Sequence, residues 1–344
     1  MKALVLEEYN KLVYQEVAEP TASDGEVLIK VKACGICGSD VHGMDGSTGR
    51  RQTPIIMGHE ASGEIVAVGA GVSRWKAGDR VTFDSTVYPL DDWFTLHGHY
   101  NLSEGREVVG VSPKDYKRHG AFAERLVVPQ HILYRIPDNV GFEQAAMVEP
   151  AAVAAHAVRL SGIQVGQSAV VFGSGMIGTF IVSMLRAAGA TPVIAVDVDD
   201  EKLKMAAGYG ADLTVNSKNH PAVAEAIRAK TKGRGADFGF EAIGISATVN
   251  TMIDSLRKGG TAVLVGNITP SIDFPLQKVV TTEIKVQGSC AINGEYELVL
   301  DMIASGALKV DSMISAVAPL SEGATWFNKL YNKEGNLNKV ILTP

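Results

Sequence analysis

Apolar and polar positions along the chain fall into two rhythms. From Met1 to about Pro137, short runs such as Glu26-Val-Leu-Ile-Lys-Val-Lys32, Gly63-Glu-Ile-Val-Ala-Val-Gly69 and Arg80-Val-Thr-Phe83 are punctuated by Gly, Pro and Asp, which predicts a β-rich domain. After Glu149-Pro150 the period lengthens. An Ala-rich helix over 151–160 is followed by a strand over 168–172, a Gly turn, a helix over 176–188, a strand over 191–198 and a helix over 200–208. Alternation continues through Asp237-Phe-Gly-Phe-Glu241 and Thr261-Ala-Val-Leu-Val265. Strands and helices in turn imply right-handed crossovers and a parallel sheet covered on both faces, a doubly wound nucleotide-binding domain. The segment from about Gln287 carries helical patterns over 296–305 and 321–331 and a closing strand, Lys339-Val-Ile-Leu342. It is too short to fold alone, so it is expected to rejoin the N-terminal domain. The predicted domains are therefore 1–149 with 287–344, and 150–286.

The long uncharged stretch over 161–185 has the length of a membrane span, but Gly162, Gly166, Gly173, Gly175 and Gly178 divide it into strand, turn and helix. A buried parallel strand is the expected form. The N-terminus offers only the four-residue apolar run Ala3-Leu-Val-Leu6 before Glu7 and Glu8, far short of a signal-peptide core, and a cytoplasmic protein is expected.

Charge and cysteine content narrow the chemistry. Thirty-two Lys and Arg against 38 Asp and Glu leave a net charge of −6, which repels a phosphate backbone and disfavours nucleic-acid binding. Three cysteines, Cys34, Cys37 and Cys290, are too few to staple 344 residues, so free or metal-bound thiols are expected rather than disulfides.

Gly173-Ser-Gly175-Met-Ile-Gly178 follows an apolar strand, opens a helix and is answered by Asp197, nineteen residues after the last glycine. In that setting Gly173 permits the tight turn, Gly175 lets the backbone approach a pyrophosphate, and Gly178 lets helix pack on strand. Met176 and Ile177 at the helix start and Lys202 beyond the second strand complete the candidate cofactor contacts. The Asp197 carboxylate suits the adenosine ribose hydroxyls and repels a 2′-phosphate, so NAD is expected over NADP.

Cys37, His59 and Glu149 read as an open zinc site. A thiolate, an imidazole and a carboxylate leave a fourth tetrahedral position for water or a substrate oxygen, which distinguishes catalytic from closed structural zinc. Asp40 is a candidate acceptor that orients the ring of His59. Ser39, two residues after the cysteine, can take an alcohol proton, with His42 as its exit near solvent.

The elements Gly35-Ile-Cys37-Gly-Ser-Asp40, Gly58-His-Glu60, Gly78-Asp-Arg-Val81, Gly120-Ala-Phe-Ala-Glu124, Val148-Glu-Pro150 and Gly173-Ser-Gly-Met-Ile-Gly178 resemble those of zinc-containing medium-chain alcohol dehydrogenases over essentially the whole length. The sorbitol (L-iditol) and related polyol dehydrogenases are most similar. The resemblance implies an α/β chain with a GroES-like β-rich catalytic domain and a doubly wound Rossmann domain. It implies zinc on Cys37, His59 and Glu149, with Glu60 near the metal and able to replace a ligand during turnover. It also implies a homodimer or homotetramer joined at the nucleotide domain, in or near 268–280.

Many relatives hold a second zinc on four cysteines. Aligning Gly98-His-Tyr-Asn-Leu102 puts Pro89, Asp92, Thr95 and Ser103 at those positions, so no tetrathiolate zinc is expected, and Tyr88, Trp93, Phe94 and Tyr100 should hold the lobe by packing. His97 and His99 read as exposed loop histidines, and Cys34 as a packed thiol outside the metal site. The expected activity is NAD-linked, zinc-dependent interconversion of a secondary alcohol of a polyol (sorbitol, L-iditol or galactitol type) with its ketose. A threonine 3-dehydrogenase and, from another class, a noncatalytic nucleotide-binding sensor are the alternatives.

Overall fold

The computed structural model describes residues 1–111, 118–220 and 222–344. Two units partition the chain: Met1–Glu149 with Ile292–Pro344, and Pro150–Ala291. The second unit therefore keeps the strand Lys285–Gly288 whole, whereas a boundary at 287 would cut it.

Strand Glu26–Gly35 is the spine of the first unit. It pairs antiparallel with Glu60–Val68 and with Arg125–Pro129, and its last residues pair with Lys339–Thr343. Six strands run in the order Leu133–Arg135, Arg80–Phe83, Glu60–Val68, Glu26–Gly35, Lys339–Thr343 and Ile314–Pro319, with Arg125–Pro129 off that path. One face packs a core in which Phe83, Phe122 and Phe327 are essentially buried. Register decides what meets at the end of the spine. Gly35 lies opposite both Glu60 and Ile341, so the turn that leads to Cys37 emerges between the 60s strand and the closing strand.

The second unit is a six-stranded, wholly parallel sheet ordered Leu213–Asn216, Val193–Asp197, Ala169–Phe172, Ala236–Glu241, Leu256–Leu264 and Lys285–Gly288. The first strand of the unit sits in the middle and the order reverses on either side of it, the arrangement that places ligands at the carboxyl ends of the central strands. Every residue of Ala169–Phe172 and Val193–Asp197 is buried, as strands covered on both faces require. The uncharged 161–185 stretch supplies one of these strands and the helix Met176–Ala187. Among the described residues no helix is long and apolar enough to cross a membrane.

Candidate metal centre and dinucleotide site

Cys37 ends the turn after the spine and caps the short helix Gly38–Met44 with extended backbone angles. His59 immediately precedes strand Glu60–Val68, so both residues are fixed by the ends of neighbouring strands. Cys37, His59 and Glu60 each bring a donor atom within 4.8 Å of the other two. Tetrahedral zinc with bonds of about 2.0–2.3 Å separates its ligand atoms by roughly 3–4 Å, so the three can close on one ion through small side-chain adjustments. The donor types fit zinc as well as the spacing does.

Asp40 is completely buried beneath this group. Its Oδ1 lies 3.4 Å from Nδ1 of His59, which leaves Nε2 as the ring nitrogen available to a metal. Burial opposes ionisation of Asp40, yet the His59 ring and the Arg51 guanidinium outweigh it and hold the carboxyl far below its ordinary range. Burial likewise pushes His59 down, but the Asp40 and Cys37 charges win and raise it well above a free imidazole. The site is thus built to stabilise positive charge at the position of the ring.

Glu60 carries a partner that the sequence did not suggest. Lys339, only 3% exposed, donates from Nζ to Glu60 Oε2 at 2.5 Å and to the carbonyl of Ile36 at 3.0 Å. Room for this pair comes from Gly35, where a Cβ would stand 2.4 Å from Glu60 Oε2 and 3.3 Å from Lys339 Cδ. Glu149 is not part of the three-residue group. It occupies the first turn of the helix Val148–Ser161, which starts earlier than the Ala-rich pattern indicates because Pro150 is acceptable in a first turn. Burial, reinforced by the charges of Glu60 and Asp84, holds the Glu149 carboxyl up at about 8, with His59 and Lys339 pulling the other way. The structure therefore brings Glu60 to Cys37 and His59, with Glu149 a further acid in electrostatic reach.

The Ser39 hydroxyl donates to the Cys37 sulfur at 3.3 Å, and His42, on the same helix, is exposed. In the 88–103 lobe, Tyr88 stacks on Tyr100 with ring centroids 4.3 Å apart. The Tyr100 hydroxyl donates to Asp84 Oδ2 at 2.7 Å and accepts from the Gly294 backbone. Asp92 caps the turn Trp93–Leu96. Trp93 departs from its expected packing role: it is 61% exposed and stacks on His97. Cys34 is buried, and burial raises its thiol well above the ordinary value.

In the second unit, the turn after Ala169–Phe172 leads into Met176–Ala187, and a Cβ on Gly178 would lie 1.6 Å from the Gly173 carbonyl oxygen. No other residue fits there. Asp197 ends its strand and accepts from the backbone of Ser174 at 2.7 Å, Val198 at 2.7 Å and Asp199 at 3.1 Å, which ties the glycine turn to the second strand. Asp199 caps the helix Asp200–Gly208 that carries Lys202. Buried Glu241, not singled out from sequence, accepts from Gly244 N and Thr248 Oγ1 and shapes the loop after its strand.

Residues 23–138 match the alcohol dehydrogenase GroES-like domain and residues 177–305 the zinc-binding dehydrogenase domain. The chain is 34% identical over 341 residues to D-xylulose reductase A of Aspergillus oryzae, covering 97% of this chain and 94% of that protein. It is 35% identical over 329 residues to (R,R)-butanediol dehydrogenase of Bacillus subtilis, covering 92% and 91%. A structure described as a short chain alcohol dehydrogenase from Escherichia coli CFT073, complexed with cofactor NADH, superposes with a TM-score of 0.91 at 29% identity, over 100% of this chain and 99% of that one. With a cysteine sulfur, an imidazole and a carboxyl group already gathered at one point, these matches show that the chain belongs to the zinc-containing medium-chain alcohol dehydrogenase family and is an alcohol or polyol dehydrogenase of that type.

Proposed function

We propose that this chain oxidises a secondary hydroxyl of a polyol to the ketone with NAD⁺, and reduces the ketone with NADH. The observation that carries the reading is the convergence of Cys37, His59 and Glu60 within 4.8 Å. Cys37 and His59 would hold the zinc, with a carboxylate as third donor. Glu149 is the ligand assigned from the sequence, and Glu60 is the acid the geometry favours. When bound, zinc supplies Lewis-acid polarisation of the substrate oxygen. Asp40 keeps the His59 ring oriented, and Ser39 passes the hydroxyl proton toward His42 and solvent.

The cofactor is proposed to occupy the Gly173–Gly178 turn with Asp197 on the adenosine ribose. The three backbone donors on Asp197 leave about one lone-pair site, on Oδ2, for a ribose hydroxyl, while its charge opposes a 2′-phosphate. We assign catalysis to the first unit and dinucleotide binding to the second. A homo-oligomer is proposed through the open edge of the parallel sheet, where Val286 on the edge strand and Ile268, Leu276 and Val280 before it are exposed.

The test is metal analysis of purified protein together with a screen of sorbitol, galactitol, xylitol, ribitol, butanediol and threonine against NAD⁺ and NADP⁺. One zinc per chain and NAD⁺-linked polyol turnover are expected. Turnover of threonine alone, or full activity after zinc removal, would overturn the reading.

A further inference from the structure

Arg51 is 2% exposed, an unusual place for a guanidinium, because burying a cation is costly unless a specific partner repays it. It stands in the loop between the helix Gly38–Met44 and the strand Ile55–Ile56, eight residues before His59. Nη2 donates to Asp40 Oδ1 at 2.7 Å. That same oxygen is 3.4 Å from Nδ1 of His59, and the other oxygen of Asp40 accepts from the backbone N–H of Cys37 at 3.4 Å. One carboxylate thus touches both Cys37 and His59, and Arg51 is what pins it from beneath.

The surrounding fold makes room for this arm. Gly43 packs directly on it: a Cβ there would lie 2.8 Å from Arg51 Cγ and 3.3 Å from Nε. The Tyr9 hydroxyl donates to the Arg51 carbonyl at 2.9 Å and fixes the loop that carries it.

We propose that Arg51 is a positioning residue for the metal centre, acting through Asp40 to hold the His59 ring so that Nε2 faces the ion. Arg51 itself touches neither donor atom. This inference rests on the zinc reading above. Without the guanidinium, Asp40 loses the partner that fixes Oδ1, and the ring loses the fixed carboxylate beside its Nδ1. Partners of this kind are worth about 10–100-fold in metal affinity.

The experiment measures zinc transfer to a competing chelator, and the visible d–d spectrum of the cobalt-substituted protein, in wild type, Arg51→Met, Arg51→Lys, Asp40→Asn and Arg51→Met/Asp40→Asn. Arg51→Met is expected to lose metal about 10–100-fold more readily with an altered cobalt spectrum, and Arg51→Lys to recover part of the loss. The double variant should be no worse than Asp40→Asn, since both substitutions break one chain of contacts. Metal affinity and spectrum unchanged in Arg51→Met, or losses that simply add in the double variant, would overturn the proposal. If Arg51→Met fails to fold, Gly43→Ala displaces the same arm without removing its charge and must weaken metal retention; unchanged retention there counts against it equally. A wild-type protein that binds no zinc at Cys37 would instead refute the zinc reading itself.

Discussion

Replacing Lys339 with Met removes the cation from a pair in which Lys339 and Glu60 are 3% and 1% exposed. Burying two charges gains little over an apolar pair of similar size, but deleting one partner leaves the other uncompensated in the interior, at a cost of about 3–5 kcal/mol. In chelator-stripped protein Lys339→Met should therefore cost about that much, while Lys339→Met/Glu60→Gln should recover to within about 1–2 kcal/mol of wild type, because no lone charge remains. A zinc ion beside Glu60 supplies positive charge of its own, so loading the protein with zinc should shrink the penalty of the single variant. The assay is urea unfolding followed by tryptophan fluorescence. Trp75, Trp93 and Trp326 are the only tryptophans and all lie in the first unit, so the signal reads that unit alone. A stripped Lys339→Met protein less than about 1 kcal/mol weaker than wild type, or a double variant as weak as the single, would refute the reasoning. An equal penalty with and without zinc would show that Glu60 does not face the ion.

Cys37→Ala should abolish alcohol oxidation while fluorescence titration shows NADH binding largely intact; equal loss of both would contradict the division of labour between the units. Asp197→Ala should reduce the ratio of kcat/KM with NAD⁺ to that with NADP⁺ by about tenfold or more, equivalent to ~1.4 kcal/mol, and an unchanged ratio would show that another residue selects the cofactor. Burial holds the Asp84 carboxyl up at about 6, against 3.8 when free, so the folded state keeps a proton that the unfolded chain gives up. Its contribution to stability is present below pH 4 and is lost as pH rises through 6, by at most about 3 kcal/mol. Urea midpoints of wild type relative to Asp84→Asn should fall across that window; a flat difference would mean that Asp84 titrates normally.

Much of the second unit was legible because its strands are covered on both faces and so read as unbroken apolar runs. The 168–172 and 191–198 patterns correspond to Ala169–Phe172 and Val193–Asp197. Strand Ile314–Pro319 escaped notice because it alternates half-buried and exposed positions with small side chains, a weak signal for an outer strand. Cys37 and His59 stand in short local motifs and could be singled out directly. Lys339 could not, since 279 residues separate it from Glu60 and only the register of three strands brings them together. Arg51 lay hidden because an arginine in a polar loop ordinarily points to solvent. The approach of Glu60 is three-dimensional in the same way: Glu60 and Glu149 both follow from motifs, but that Glu60 comes within 4.8 Å of Cys37 and His59 depends on strand register and not on spacing along the chain.

The segment Lys339–Thr343 lies between the spine strand and Ile314–Pro319, and its first residue neutralises Glu60. During synthesis this stretch leaves the ribosome only after the entire Pro150–Ala291 unit has been made. Until then Cys37, His59 and Glu60 sit on a sheet that lacks an inner strand, and Glu60 lacks its counterion. The first unit is thus completed from its C-terminal stretch: its sheet gains an inner strand, and Glu60 its counterion, only once the inserted unit has been synthesised.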